Sequence, residues 1–307
     1  MMTTATATTA TSAPRAAKAP GASNDRSAGR SRASTIIVTG VLVLVALYFL
    51  VPIYWVVVAA TKTSEDLFST FGFWFAPNFA LWDNLGQVLT YDDGIFVRWF
   101  LNSVLYAGVG AVLATYFAAA GGYALGKYRF RGNNLIFGLI LGGVLVPGTA
   151  TALPLFLLFS QMGLANTDWS VLIPSLVSPF GLFLCRIYAQ ATVDDALLEA
   201  ARLDGAGELR IFHSVVLRIL TPALVTVFLF QLVGIWNNYF LPALLLNKNE
   251  MKTVPIMIAQ LRAADYSKFD LGKVYMFILL AILPVLAVYI FLSRFIIKGV
   301  TAGSVKG

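Results

Sequence analysis

The chain has 307 residues, of which 58% are hydrophobic and only 12% are charged, a far more apolar composition than that of an ordinary soluble domain. A typical water-soluble enzyme is therefore excluded. The single cysteine, Cys185, excludes an intramolecular disulfide and a thiolate cluster, and the single histidine, His213, argues against a His-based zinc site, so no metal site is expected. The formal net charge is +7, and its meaning depends on where the charges lie.

The first 34 residues are rich in Ala, Thr and Ser and contain no aromatic residue, Val, Ile or Leu. Such a segment buries too little apolar surface to offset the entropy lost on ordering, so 1–34 is expected to be a disordered cytoplasmic tail. The apolar run that follows is longer than the roughly 7–15 apolar residues of a secretory signal. It is predicted to be a retained membrane anchor.

Long runs without charge are the main structural signal. A helix that crosses about 30 Å of hydrocarbon at 1.5 Å per residue needs roughly 20 mostly apolar residues. Such runs occupy 33–61, 99–126, 132–167, 169–185, 219–247 and 274–293. Pro147 and Pro154 interrupt the third run, which is predicted to hold one helix of about 135–154 and an interfacial segment. The sequence thus predicts an all-α integral membrane protein with six transmembrane helices.

The positions of the basic residues predict the orientation, because Lys and Arg are retained on the cytoplasmic side of a membrane. With the N-terminus inside, fifteen of the 22 Lys and Arg residues fall on the inner side and seven on the outer side. Both termini are therefore expected to be cytoplasmic. The membrane topology therefore explains the net positive charge, and no nucleic-acid partner is expected.

The chain shows no energy source of its own. Its spans lack the mid-membrane ionisable residues that ion-driven carriers commonly use, and its sequence lacks a G-x-x-x-x-G-K-[ST] phosphate loop. An ion-gradient-driven secondary transporter is one alternative. A membrane-embedded lipid-modifying transferase built around Asp194, Asp195 and Glu199 is another, but it needs two acidic clusters on one face, and the pair Asp92-Asp93 falls in an outer loop.

The inner loop 190–220 has apolar residues at helical spacing with Gly205 and Gly207 in the middle, which predicts a helix, a turn and a second helix. Small residues of the first half form one face, suited to contact with another protein: Ala196, Leu197, Ala200 and Ala201. Asp204 stands where it could cap the second helix. A solvated amphipathic linker is the alternative interpretation.

One motif in this loop connects the sequence to a family. Glu199-Ala200-Ala201, followed by Gly205 after three residues, resembles the EAA signature of ABC importer permeases. Residues 236–242 (WNNYFLP), 100–103 (FLNS) and 299–307 (GVTAGSVKG) add to the likeness. Together they resemble the permease subunits of carbohydrate ABC importers, similar to the six-span maltose type, over about 35–307.

This resemblance implies the type I importer permease fold and a permease subunit of an ATP-driven importer, for a sugar or oligosaccharide, in the bacterial cytoplasmic membrane. The implied partners are a second permease subunit, two ATPase subunits and an extracytoplasmic solute-binding protein, besides the sugar and membrane lipid. The chain itself would catalyse no reaction and bind no cofactor. ATP and Mg would be bound by the partner ATPase.

The resemblance also implies roles for individual residues. The resemblance implies contact with the ATPase at Glu199, Ala200, Ala201, Asp204 and Gly205, and in the C-terminal tail 299–307 at Thr301, Gly303 and Lys306. Polar groups in the apolar fifth span predict a solute path, because an aromatic face and side-chain amides suit a sugar: Gln231, Trp236, Asn237 and Asn238. Packing between helices is the alternative for these four residues.

The outer loop between the first two spans is rich in aromatic residues: Phe71, Phe73, Trp74, Phe75, Phe79, Trp82 and Trp99. Such enrichment is expected where a chain lies along the lipid headgroups. Cover by the outer domain of a partner is the alternative.

Overall fold

A computed structural model describes the backbone of residues 32–263 and 270–304. Most of the predicted tail 1–34 therefore lies outside the described residues, and so does Lys306. The chain divides into two units, Met1–Val51 and Pro52–Gly307. The described part of the first unit is the beginning of one long helix.

Within the described residues the chain is helical throughout and has no β-strand, which confirms the all-α prediction. The helices are α1 (Arg32–Ala60), α2 (Ser64–Ser69), α3 (Leu81–Leu89), α4 (Ile95–Lys127), α5 (Asn133–Gly142), α6 (Gly148–Gln161), α7 (Asp168–Ser175), α8 (Pro179–Thr192), α9 (Asp195–Leu203), α10 (Glu208–Ile211), α11 (Leu217–Ile219), α12 (Thr221–Trp236), α13 (Phe240–Leu245), α14 (Val254–Ala263) and α15 (Leu271–Ser304).

Four stretches of helix are long and apolar enough to cross a membrane: Ser34–Ala60, Ile95–Lys127, Asp168–Thr192 and Leu271–Ser293. Two further candidates are bent pairs of helices. Asn133–Leu145 and α6 meet at 102°, and Glu208–Ile219 and α12 meet at 82°. Counting each bent pair as one span gives the six spans that the sequence predicts. The inner end of a span is the end that is predicted to be cytoplasmic, and the outer end is the opposite one.

The prediction of one helix at about 135–154 is wrong. The helix that starts at Asn133 ends in a 3₁₀ turn, Gly143–Leu145, and α6 begins only at Gly148. Between them Val146 is extended, with φ −80° and ψ 117°, because a residue before proline is kept out of the helical region. Pro147 also lacks the N–H that a continuous helix would use, so the chain turns sharply there.

In the second unit α4 packs against α8 and α12, and α12 packs against α15. Gly122 permits the closest approach of α4 to α8, since a Cβ there would lie 2.6 Å from Cys185 Cβ and 2.7 Å from Arg186 N. Small residues at such crossings are typical of membrane helices. Cys185 is fully buried at this contact, as a small apolar filler would be.

The outer end of α4 is hydrogen-bonded to the segment directly before α14. Asn102 Nδ2 donates to the carbonyls of Glu250, at 2.8 Å, and Lys252, at 3.0 Å. Ser103 Oγ accepts the backbone N–H of Val254 at 2.9 Å. These bonds satisfy backbone groups that would otherwise be left unpaired near the membrane, so Asn102 and Ser103 of the FLNS segment have a structural role in this chain.

Candidate coupling loop and solute path

The loop 190–220 folds as the predicted helix, turn and helix. The Asp194 carboxylate caps the first helix by accepting the N–H of Ala196 at 3.0 Å. The helix ends at Leu203, and Gly205 then takes φ +79°, in the left-handed region that glycine adopts at little cost. The chain can therefore reverse direction within a few residues of the EAA motif.

Asp204 does not cap the second helix, contrary to the prediction. It ends α9, and its N–H donates to the carbonyl of Ala200 at 3.0 Å. The residue that precedes α10 is Gly207, which is extended. A capping side chain must come from the residue directly before the first helical turn, and Asp204 lies three residues too early.

An apolar core holds the loop to the inner ends of the spans. Leu198 of α9 is buried in one cluster with Ile211 and Phe212 from the second half of the loop and Tyr123 from α4. Ala201 is half-buried against the same cluster, so it does not belong to the outward face that the sequence predicts. A helix of nine residues that packs on one side must turn some of its small residues inward.

Several large apolar side chains of the loop are exposed. Leu203 and Leu209 flank the turn and are 89% and 77% exposed, and Leu197 is also exposed. Glu199 and Ala200 of the motif are exposed too. Large apolar side chains that cluster outside a membrane span are typical of a protein interface.

Polar contacts tie both helices of the loop to the inner end of α4. Lys127 Nζ lies 2.9 Å from Asp195 Oδ1, in the first turn of α9. The Tyr128 hydroxyl donates to the carboxylate of Glu208, at the start of α10. Arg202 Nε donates to the same carboxylate at 2.7 Å, so the two helices are also bound to each other.

These contacts set the ionisation of two carboxyl groups. The hydrogen bond from Lys127 lowers the pKa of Asp195 below its ordinary value. The hydrogen bonds from Arg202 and then Tyr128 lower the pKa of Glu208. Both side chains therefore remain charged at neutral pH. Sequence reasoning missed these contacts because they join residues 68 and 80 positions apart.

The second half of the loop contains a π-helical turn, Phe212–Val216, between α10 and α11. His213 lies in this turn, with Nδ1 2.7 Å from the carbonyl of Leu209 and Nε2 3.1 Å from the Tyr116 hydroxyl of α4. A carbonyl can only accept, so we assign the proton to Nδ1. His213 thus connects the loop to α4, close to the 82° bend that precedes α12.

The four predicted path residues do not form one site. Gln231 and Asn238 line a cavity of about 220 Å³ together with Ser175 of α7. Trp236 and Asn237 line a second cavity, of about 550 Å³, whose other walls are mainly apolar residues of α14 and α15. The structure therefore separates a polar cavity from an apolar one.

The polar cavity lies beside an interruption of the fourth span. Gln231 Nε2 donates to the hydroxyl of Ser178, which lies between α7 and α8 and also accepts the N–H of Gly181 at 3.2 Å. Pro179 follows directly, and a residue before proline is restricted to extended or turn conformations. The sequence predicted one helix here and missed Ser178, although a Ser-Pro pair is a turn signal.

Trp236 and Asn237 have structural contacts, as the packing alternative expects. The buried Trp236 ring donates from Nε1 to the carbonyl of Ala281 at 3.1 Å and meets Phe100 edge-on with 6.0 Å between centroids. Asn237 Nδ2 donates to the carbonyl of Val233 at 3.0 Å. α12 ends at Trp236, so the predicted run 219–247 is not one continuous helix.

The predicted ATPase contacts at the C-terminus stay predictions. Thr301 and Gly303 lie in the last turns of α15, where the structure describes the backbone alone. Lys306 lies outside the described residues.

The acidic pairs of the transferase alternative lie at opposite ends of α4. Asp195 contacts Lys127 at its inner end, whereas Asp92 and Asp93 directly precede its outer end. The 33 residues of α4, at 1.5 Å each, separate the two groups by about 50 Å. They cannot form one metal site, and within the described residues no three His, Cys, Asp or Glu side chains gather as metal ligands.

Comparisons with known proteins give one consistent result. Residues 118–301 match the family described as binding-protein-dependent transport system inner membrane component. An arabinooligosaccharides transport system permease protein, AraQ of Halalkalibacterium halodurans, is 35% identical over 236 residues, covering 76% of this chain and 82% of that protein. The lactose transport system permease protein LacG of Rhizobium radiobacter is 31% identical over 255 residues, covering 82% and 89%.

A solved structure resembles the fold. It is a chain of a bacterial ABC transporter involved in the import of the acidic polysaccharide alginate, with a TM-score of 0.75 and 25% identity. The match covers 87% of this chain and 99% of that chain, so it extends well beyond the loop 190–220.

Proposed function

Because the chain belongs to the family of binding-protein-dependent transport system inner membrane components, we propose that it carries a neutral di- or oligosaccharide across the bacterial cytoplasmic membrane. It is a multi-span permease subunit of an ABC importer and not itself an enzyme. The family description implies that a separate binding protein delivers the solute. The relatives named for lactose and arabinooligosaccharides support a carbohydrate as that solute.

The proposed complex contains a second permease subunit and two ATPase subunits, and the ATPases bind ATP and Mg. The observation that carries this proposal is the exposed surface around Gly205, where Leu203 and Leu209 flank the EAA motif. Burying a leucine side chain fully contributes about 1.5–3 kcal/mol. Two such leucines on a loop outside the spans therefore favour a protein partner strongly, and the ATPase is the partner that the EAA resemblance implies.

The loop contacts several spans, so a displacement of the loop would move them. Its core is shared with α4 and α8, its polar contacts reach Lys127 and Tyr128 at the end of α4, and its second half leads into α12. If the ATPase binds the loop differently in its open and closed states, the difference in binding free energy shifts the permease between two conformations. The chain needs no nucleotide site of its own in this scheme.

The polar cavity supports an uncharged solute. Its lining, which includes Ser175, Gln231 and Asn238, contains no ionisable side chain. Side-chain amides and hydroxyls both donate and accept hydrogen bonds, as sugar hydroxyls require. Its volume of about 220 Å³ is below the roughly 300–1,000 Å³ usual for ligand pockets. We therefore propose that the second permease supplies the remaining wall.

The experiment is uptake by the assembled transporter in liposomes that contain ATP, with the binding protein outside. Lactose, arabinooligosaccharides and alginate oligosaccharides are offered separately. We expect ATP-dependent accumulation of a neutral sugar and none of alginate fragments. Accumulation of the acidic sugar alone would contradict the assignment of a neutral solute.

A further inference from the structure

Given the proposed function, on which this inference rests, we propose that His213 is a positioning residue that fastens the second half of the loop to Tyr116 of α4, so that both move together. The segment concerned, Glu208–Ile219, contains the π-helical turn Phe212–Val216 and ends directly before the 82° bend into α12. A displacement of the loop that travels along the chain to α12 must pass through this segment. π-helical turns are rare and occur frequently at functional sites.

The segment lies along α4. Three pairs of side chains join the two: Glu208 with Tyr128, Phe212 with Tyr123, and His213 with Tyr116. The three tyrosines span twelve positions of the chain, which is about 18 Å of helix. Contacts spread over that length align the segment with α4, and the pair at Tyr116 is the one farthest from the inner end.

His213 uses both ring nitrogens in this contact. Nδ1 donates to the carbonyl of Leu209, four residues earlier, at 2.7 Å. Nε2 is then the acceptor and takes the hydroxyl proton of Tyr116 at 3.1 Å. Because the first bond sets the tautomer and the orientation of the ring, it also directs Nε2 toward α4. The imidazole therefore binds its own helix and the neighbouring span at once.

Ring packing places the same contact on the π-helical turn itself. The rings of Phe212 and His213, the first two residues of the turn, both lie 5.8 Å from the ring of Tyr116 between centroids. Phe212 also stacks on Tyr123 at 5.9 Å, with 24° between the ring planes. Thus α4 holds the turn and not only the helix before it.

The bend after the segment gives this contact its role in transport. α12 leaves at 82°, whereas Glu208–Ile219 is bound along α4, so the angle between these two units can change at Leu220. Without the contact between His213 and Tyr116, the segment would be held to α4 mainly near its inner end. A displacement of the loop would then be absorbed at the π-helical turn instead of moving α4.

Ser214 offers a matched control in the same turn. Its hydroxyl donates to the carbonyl of Arg210, also four residues earlier, and its side chain is exposed like that of His213. Ser214→Ala therefore removes a bond within the segment. Tyr116→Phe removes the bond to α4 and keeps the ring that packs on Phe212.

The experiment measures the sugar transported per ATP hydrolysed by the assembled transporter in liposomes. Recovery of each complex is determined first, and the unaltered transporter is measured alongside. His213→Asn has an amide that can still reach the carbonyl of Leu209 but is too short for Tyr116. His213→Gln is longer, and its amide oxygen can accept the Tyr116 hydroxyl in place of Nε2.

We expect His213→Asn and Tyr116→Phe each to lower this ratio roughly two- to tenfold, as the loss of one hydrogen bond can, and the double variant to lower it no further. His213→Gln should keep most of the ratio, and Ser214→Ala all of it. Tyr116→Phe decides the question if His213→Asn is not recovered as a complex.

An unchanged ratio in Tyr116→Phe would overturn the inference, and so would an equal loss in Ser214→Ala, because the bond would then serve only the stability of the segment. Either result leaves the proposed function standing. Absence of ATP-driven uptake by the unaltered complex would contradict the proposed function itself, and the inference with it.

Discussion

The two ends of α12 differ in how their polar and apolar residues are used. Before the helix, the loop around Gly205 leaves Leu203 and Leu209 exposed, while Arg202 binds Glu208 and Asp195 binds Lys127 of α4. After the helix, Trp236 is buried and bonded within the chain, and Asn237 bonds its own helix. Exposed leucines outside a span favour the proposed partner, whereas the aromatic and amide groups of this span have contacts that packing alone accounts for.

The largest effect is expected at Gly205. A β-branched residue is strained at φ +79° by roughly 1–2 kcal/mol and would also project from the contact surface, since no atom lies within 4 Å of its Cβ. Gly205→Val should therefore abolish ATP-driven uptake while the permease pair still assembles. Gly205→Asn should retain more activity, because Asn tolerates this conformation.

Gly207→Val is the matched control for that experiment. Gly207 has φ −72° and equally open surroundings, so valine fits there without backbone strain. Full uptake by Gly205→Val, or equal losses at 205 and 207, would contradict the special role of Gly205.

The next effect is expected at the exposed leucines. Leu203→Asp and Leu209→Asp should each weaken ATPase binding by about tenfold or more, because the loss of about 1.5–3 kcal/mol of burial corresponds to that change in affinity. Recovery of the ATPase with the tagged permease measures it. Leu203→Met keeps the apolar surface and should bind normally. Unchanged recovery with both Asp variants would show that the ATPase does not cover this surface.

A smaller effect is expected at the contact between α4 and α9. Lys127→Asp places two carboxylates opposite each other at a contact where the Lys127 side chain is 10% exposed and the Asp195 side chain is 72% exposed, so recovery of the assembled transporter is measured first. We expect several-fold less sugar transported per ATP hydrolysed. Lys127→Asp combined with Asp195→Lys should restore part of that ratio. A ratio that is unaffected by the single change would show that the contact does not help to transmit the motion.

The smallest effect distinguishes the two cavities. Gln231→Leu removes an amide from the polar cavity and should lower uptake a few-fold with ATPase activity retained, whereas Asn237→Leu should have little effect. Initial rates at several sugar concentrations measure the difference. A greater loss with Asn237→Leu would move the solute path to the apolar cavity.

Part of this structure can be predicted from the sequence because its signals are local. Charge-free runs locate the six spans, and Gly205 with Gly207 marks the turn of the loop. The orientation of Ala201 could not be predicted, since the periodicity of a short helix does not show which side a neighbouring helix will cover. The contact of Tyr128 with Glu208 depends on the packing of distant segments and leaves no signal in the spacing.

The sequence predicts the number of spans better than it predicts the breaks within them. The apolar pattern predicts an interruption at Pro147 but not the boundary of two helices, and it does not predict the break at Ser178-Pro179. In both places proline restricts the preceding residue, a local cause that outweighs an otherwise continuous apolar pattern. The interruption at Ser178 places a hydroxyl beside Gln231, a residue of the proposed solute path.

The most direct test of the account is reconstitution with residues 194–206 replaced by a neutral linker of equal length, beside the unaltered transporter. We expect the unaltered complex to accumulate sugar only while its ATPase hydrolyses ATP, and the linker variant to lose both bound ATPase and uptake. Uphill uptake by the permease without any ATPase, driven by an ion gradient, would contradict the account.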